Sequence, residues 1–390
     1  MSNVKIFASI VDDATKKQVE TLAASEAYRD AVIRVMPDCH AGKGCTIGSV
    51  IGYADRVVPN TVGVDIGCGM LVVELGKVDV DLRALDAVIK RHIPSGFNVH
   101  KTPISKFDAP FYAEIPESKR EYIQCSIGTL GGGNHFIEVD ADEDGNKYLV
   151  IHSGSRNLGV LVCESWQNKA ILNLTDDSEQ RANLIRTLKE QGREHDIQRE
   201  LNAMDRPNIN EDLAYLEGED LFKYIQDMKN CQSYASLNRL NMATAICLEM
   251  SWKPMSSFET VHNYIDTRNR IIRKGAVSAE KGEMLIIPMN MRDGSLICVG
   301  KGNPDWLSSA PHGAGRIMSR AQAFKNLSMV DFMLSMDKVY STTVNEDTLD
   351  EAPMAYKPID IIMNDIRDTV DIVKVIKPLY NFKAAEKKKF

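Results

Sequence analysis

A chain of 390 residues with 44% hydrophobic and 26% charged residues has the composition of an ordinary globular protein, long enough to bury a sizeable core. Its net charge of −7 speaks against a strongly basic protein that coats nucleic acid, though not against a local basic patch. No apolar run approaches the roughly 20 residues of a membrane span. The first residues, MSNVKIFASIVDD, lack the basic segment and apolar stretch of a signal peptide, so a cytoplasmic protein is expected. Eight cysteines with no CxxC pair then read as thiols, most of them small buried hydrophobes. Only Cys68 sits in a setting that asks for more.

In chain order, residues 1 to about 75 are rich in Gly, Val and Ile, with short apolar runs such as TIGSVIGY that predict strands joined by tight turns. Residues about 76–125 hold a predicted helix, DVDLRALDAVIKRHI, and then a Pro- and charge-containing stretch that suits an inserted lid. Gly-rich strand-and-turn texture returns over about 126–160. From about 162 to 250 the pattern is helical, and GEDLFKYIQDMKNCQSYASLNRLNMATAICLEM has the three- and four-residue apolar spacing of an amphipathic helix pair. The charge runs of 176–205 read as solvated faces. Strands resume from 255, with helices expected near 311–328 and 358–378. Segregated strand and helix blocks predict an α+β fold, here one domain over 1–390.

The chemically capable residues sit in Gly-rich bends. PDCHAGKG offers Asp38 and His40, and VGVDIGCGM sets Asp65 and Cys68 three apart after an apolar run. GTLGGGNHFIEV carries Asn134, His135 and Glu138; IHSGSRNLG carries His152 and Arg156; His262 stands in TVHNYID and His312 in APHGAGRIMSR. Glycines at such bends let main chain approach a ligand closely. Cysteine, aspartate and several histidines form a borderline-soft donor set that suits zinc, manganese, iron or cobalt and is too soft for magnesium or calcium. One thiolate could bridge two such ions. Each residue alone has a plainer reading. A single histidine in a turn is usually a satisfied structural one, and DIGCG can be only a tight turn over a buried cysteine. GTLGGGNH lacks the pattern of a known phosphate loop. Composition and spacing therefore stop at a metal-dependent enzyme of unstated reaction.

The blocks MPDCHAGKG, VGVDIGCGM, GTLGGGNHFIEV, IHSGSRNLG, VHNY, RKGAVSAEKGE and PHGAGRIMSR, in this order, resemble the RtcB family of RNA-splicing ligases from about residue 30 to about 380. The resemblance implies two manganese ions held by Asp65, Cys68, His135, His152 and His262, with Cys68 as the bridge, and GTP as the second cofactor. It implies that His312 is guanylylated and passes GMP to an RNA 3′-phosphate, which a 5′-hydroxyl then attacks; a 2′,3′-cyclic phosphate is opened first. Asp38 and Arg156 match active-site positions of the family. Asn134, Glu138, Pro288, Asn290, Ser295, Gly313, Gly315, Tyr356 and Lys383 match its nucleotide contacts, with Tyr356 stacking on guanine. The implied partners are RNA ends from transfer or ribosomal RNA and an activating or release-factor-like protein, with the chain a monomer and no membrane involved.

Two places depart from the family pattern. PMNMRDGS (288–295) has Met289 and Arg292 where the family has glycines and Asn290 where it has serine, and Lys383 is followed by seven further residues. Larger residues in a phosphate loop block backbone approach or force another path, although Arg292 could instead add a charged contact. These departures suggest a paralogue. They also keep open a manganese-dependent RNA-end phosphatase or cyclic phosphodiesterase without guanylylation, and a non-catalytic RNA-end-binding protein.

Overall fold

The computed structural model describes residues 3–42, 44–204 and 208–384; Lys43 of the PDCHAGKG block, position 205 of the charge run and residues 385–390 of the C-terminal extension lie outside them. Among the described residues the fold is a mixed α+β arrangement with two main sheets. The larger has seven strands in the order Met284–Asn290, Gly294–Gly300, Val370–Lys383, Phe136–Ala141, Lys147–Ser153, Gly69–Gly76 and Ser256–Val261, all antiparallel. Its two edge strands come close to each other, so the sheet curls toward a barrel. Alternation sorts the faces. Met70, Val72, Phe136, Val150, Ile286 and Ile376 pack together inside the curl. Leu71, Val73, Ile137, Val139 and Ile151 face outward, against Leu85 and Ile89 of the helix Leu82–His92 and Met242 and Ile246 of the long helix Gly218–Glu249. With both faces covered, Gly69–Gly76 is buried almost throughout, which explains why GMLVVELG is nearly uniformly apolar.

The five-stranded sheet runs Val4–Ile6, Val32–His40, Ile47–Gly52, Ile271–Lys274 and Asn263–Asp266. Residues 76–125, expected to hold an inserted lid, supply Leu85, Ile89, Ile93 and Ile123 to the buried core. The region expected to be helical between 162 and 250 contains Arg156–Thr175, Ser178–Glu190, Ile197–Ala203 and one 32-residue helix, Gly218–Glu249, where a pair was expected. Two other expectations need correction. The helix near 311–328 spans only Arg320–Asn326, because Gly313 and Gly315 keep the preceding loop open and Ser319 caps the helix with Gln322 in a capping box. Near 358–378 the helix is only Ile359–Asp365, and Val370–Lys383 is a strand, since β-branched residues recur through VDIVKVI.

Two residues of the long helix fasten the loops at one end of the curled sheet. Asn238 accepts the backbone N–H groups of Gly128 and Thr129 at 2.8 and 3.0 Å and donates to Ser153 Oγ and the Gly154 carbonyl. Arg239, fully buried, donates to the carbonyls of Gly67 (3.0 Å) and Ser153 (2.6 Å) and to Glu259 (2.7 Å). Gly67, at φ 75°, lies so close to this helix that a Cβ there would sit 2.8 Å from the Gln232 Cα.

Leaving a buried hydrogen-bonding group unpaired costs about 1–3 kcal/mol, and replacing Arg239 orphans the Gly67 and Ser153 carbonyls, while the exposed Glu259 turns to water. Arg239→Met should therefore lower the thermal unfolding midpoint sharply, and an unchanged midpoint would show that the loops are held otherwise. Inside the curl, Asp140 is fully buried with neither carboxylate oxygen hydrogen-bonded, so burial, then Glu138, raises it well above the usual carboxylate range. It stays protonated when folded and ionises when unfolded, so stability is lost as pH rises from about 4, at up to about 1.4 kcal/mol per pH unit. Thermal melts of Asp140→Asn should fall less between pH 5 and pH 8 than those of the parent chain; equal slopes would contradict this.

Candidate active site

The strand ends decide where the polar residues meet. Gly69–Gly76 starts, Lys147–Ser153 ends, Phe136–Ala141 starts and Ser256–Val261 ends at the same mouth of the curled sheet, as their registers require: Gly69 lies opposite Ser153 and Val261, and Phe136 opposite His152. Cys68, His135, His152 and His262 thus converge from four separate sequence blocks.

Cys68 Sγ lies 3.4 Å from His135 Nε2 and 3.3 Å from His152 Nε2, and Asp65 Oδ2 lies 3.1 Å from His135 Nε2. Two trios result, Asp65–Cys68–His135 and Cys68–His152–His262, each with donor atoms within 4.8 Å of one another and Cys68 common to both. His135 Nδ1 bonds the Leu130 carbonyl at 2.9 Å and His152 Nδ1 the Asn134 carbonyl at 3.2 Å. A carbonyl only accepts, so each Nδ1 carries the proton; the His152 Nε2 lone pair faces the sulfur, and His135 Nε2 faces both the sulfur and Asp65. His262 Nδ1 is buried without a partner. Burial, reinforced by neighbouring positive groups, depresses His152 and His262 well below the usual histidine range, which keeps them neutral. For Cys68, burial and the Asp65 carboxylate push the thiol well up, so a thiolate there needs a cation beside it. Burial would raise Asp65, but a second proton on His135 Nε2, by its bond and charge, and then Arg156 bring it below its ordinary value; a cation between Asp65 and a neutral His135 would take that proton's place. Neutral imidazoles, a carboxylate, a shared sulfur and an orphaned nitrogen fit one or two borderline-soft cations.

His312 stands beside this cluster, its ring centroid 4.8 Å from that of His262. Its Nδ1 bonds Asp38 Oδ2 at 2.6 Å, and the same oxygen accepts the His312 backbone N–H at 3.1 Å. Asp38 is fully buried, so it acts on the ring and reaches nothing in the cavities. Nδ1–H is thereby fixed and Nε2 is left as the free nucleophilic atom. Gly315, at φ 73°, packs on Asp38 so tightly that a Cβ would lie 2.3 Å from its carbonyl oxygen. His40 turns its Nδ1 onto the Asp38 carbonyl.

Two cavities meet at His312 and Asn134. The larger, of about 320 Å³, is lined by Glu138, Pro288, Asn290, Gly313, Gly315, Tyr356 and Lys383 from the expected nucleotide contacts. The smaller, about 200 Å³, is lined by Asp65, Cys68, His262, Asn263 and Lys274. In the larger one, Glu351 is a buried acceptor for Tyr356 Oη (2.6 Å), Arg316 (3.2 Å), Arg320 (3.3 Å) and Lys383. Burial would raise Glu351, but Lys383, Arg320 and Arg316 hold it down at about 2. Burial alone would lower Lys383; the Glu351 charge reverses that and raises it. Glu138 accepts from Asn381 at 2.5 Å, and its burial raises it.

Other expected residues lie elsewhere. Arg156 lines neither cavity; at φ 58° it opens the helix Arg156–Thr175 and donates to Thr129 Oγ1 and the Gly96 carbonyl. Ser295 is buried in its strand, its Oγ without a partner and outside the cavity lining. The departing loop forms a turn in which Asn290 Oδ1 accepts from the N–H groups of Arg292 and Asp293, and Arg292 pairs with Asp293 at 2.8 Å. The Arg292 charge is thus turned onto its neighbour and away from the cavity. Met289 and Met291 fill the wall as buried side chains.

Sequence reasoning passed over Asn238, Arg239, Glu351 and Lys357. Lys357 Nζ donates to the carbonyls of Pro37 (2.7 Å) and Cys39 (3.2 Å), on either side of Asp38, and to that of Ile10. Its place directly after Tyr356 was the one available signal.

The sequence profile of the RtcB family, described as tRNA-splicing ligase RtcB, matches residues 18–110 and 105–384. The RNA-splicing ligase RtcB of Escherichia coli strain K12 is 32% identical over 408 aligned residues, covering 94% of this chain and 92% of that protein. The tRNA-splicing ligase RtcB of Archaeoglobus fulgidus is 26% identical, covering 87% and 83%. That of Methanococcus maripaludis is 24% identical, covering 88% and 85%. With a profile match over most of its length and a relative of this similarity, the chain belongs to the RtcB family.

Proposed function

We propose that this chain joins an RNA 3′-phosphate, or a 2′,3′-cyclic phosphate opened to one, to a 5′-hydroxyl, carrying GMP on His312. The observation that carries the reading is the Asp38–His312 pair, set where a nucleotide-sized cavity meets the Asp65–Cys68–His135–His152–His262 donor cluster. A cavity of about 320 Å³ lies within the usual range of small-molecule sites.

His312 Nε2 attacks the α-phosphorus of GTP and the bond to pyrophosphate breaks, leaving a phosphoramidate. Asp38 holds Nδ1–H and balances the positive charge that grows on the ring. Manganese held by the two trios would neutralise the phosphate oxygens and align the attacking and leaving groups. Tyr356 offers a face for the guanine ring, with Glu138 and Lys383 at its edge and Asn134 toward the phosphate. GMP then passes to the RNA 3′-phosphate as a mixed anhydride. The 5′-hydroxyl attacks that phosphate, GMP leaves, and His312 is free again.

The 288–294 turn favours a second reading. Its asparagine carboxamide is occupied within the turn and methionines fill the wall, so fewer groups are left for a triphosphate. An enzyme limited to opening cyclic phosphates or removing phosphate would need the donor cluster but not His312. The test is sealing of a 2′,3′-cyclic-phosphate strand to a 5′-hydroxyl strand with GTP and Mn²⁺. The ligase reading predicts joined product from the parent chain and none from His312→Ala. Opened ends without joining, equal in both proteins, would replace it with the second reading.

A further inference from the structure

Residues 87–107 carry Lys90, Arg91, Lys101 and Lys106 with His92 and His100 and no acidic residue, in a chain of net charge −7. Lys90, His92 and Lys106 face Asp86, Glu249 and Asp108, whereas Arg91 and Lys101 are exposed. Amid this basic stretch stands Phe97, 75% exposed.

An exposed phenyl ring on a floppy loop would need no explanation, but this turn is fastened on every side. The Gly96 N–H donates to the Gly131 carbonyl at 2.8 Å, the Leu130 N–H to the Pro94 carbonyl at 2.9 Å, and the Asn98 N–H to the Ser95 carbonyl at 3.2 Å. Arg156 donates to the Gly96 carbonyl and Tyr122 to that of Phe97 itself. The backbone is held while the ring is left in water.

The turn is also joined to the candidate active site. Leu130, whose N–H binds Pro94, gives its carbonyl to His135 Nδ1, and His135 belongs to the Asp65–Cys68 trio. Proteins that hold single-stranded nucleic acid combine cationic groups along the backbone path with aromatic rings on which bases stack. A solvent-facing phenyl on a fixed turn, between Arg91 and Lys101 in sequence, and joined through Pro94 and Leu130 by two successive hydrogen bonds to the cluster residue His135, has those parts.

We propose that Phe97 is a stacking platform for a base near the end of a single-stranded RNA, with Arg91 and Lys101 neutralising the adjoining phosphates. This deepens the RNA-joining reading by naming where the strand is held. The probe is a single-stranded RNA with a 3′-phosphate and 2-aminopurine as its last base, whose fluorescence falls when the base stacks.

The parent chain and Phe97→Tyr should both quench the probe. Phe97→Ala should leave it bright and weaken RNA binding roughly ten-fold, in line with the loss of one base stack. Because the ring is exposed, the substitution removes no core packing. Equal quenching and affinity in the parent chain and Phe97→Ala would overturn the proposal. Fluorescence needs no turnover, so a chain that seals nothing would still report on Phe97 while the ligase reading failed separately.

Discussion

Arg239 and Asn238 are adjacent on one helix, and together they reach the backbone of three loops: the turn at Gly67, the glycine loop at 128–129 and the strand end at Ser153 and Gly154. Each loop carries part of the donor cluster, and besides buried side chains such as Ile66, Ile127 and Leu130 it is these backbone bonds that tie the three together. A guanidinium fully removed from water is costly unless its donors are met; Arg239 Nε and Nη1 are met, while Nη2 is buried without a partner. Here two of its partners are the carbonyls the site most needs fixed, and the third is Glu259 on the adjoining strand. The site is thus built from the helix outward, and the curled sheet supplies only the convergence of strand ends.

Electrostatics inside the mouth divide into two compartments. Around Cys68, burial favours uncharged histidines and opposes a thiolate, so the cluster by itself lacks the positive charge its sulfur would need. Around Glu351, the balance is reversed: two arginines and Lys383 surround one carboxylate and hold it ionised. The first compartment is rich in neutral donors around a sulfur, and the second carries more cationic than anionic side chains beside Tyr356. His312 stands at the junction, its reactive nitrogen chosen by the bond that Asp38 makes to the other one.

Much of this was legible in the sequence, though unevenly. The cysteine, aspartate and histidines announced themselves by chemical type in glycine-rich bends, and the structure brings Asp65, Cys68, His135, His152 and His262 together. Which of them meet depends on strand register, which spacing alone does not specify. Arg239 and Asn238 were hidden because a polar pair in SLNRLN looks like the wet face of an amphipathic helix until the loops it binds are known. Lys357 carries no sequence signal beyond its place after Tyr356, yet it is buried among three carbonyls. The helix expected near 358–378 overlaps the first part of the strand Val370–Lys383, because the apolar residues there fit either period over a short window, and only pairing with Phe136–Ala141 and Gly294–Gly300 decides between them.

The proposed function stands on His312 Nε2 acting as a nucleophile beside the donor cluster centred on Cys68. The most direct measurement is incubation of the protein with α-labelled GTP and Mn²⁺, followed by a denaturing gel with and without acid treatment. An acid-labile label on the parent chain, absent from Cys68→Ala and from Asp38→Asn, is the predicted result. A parent chain that binds manganese yet takes up no label would contradict the account.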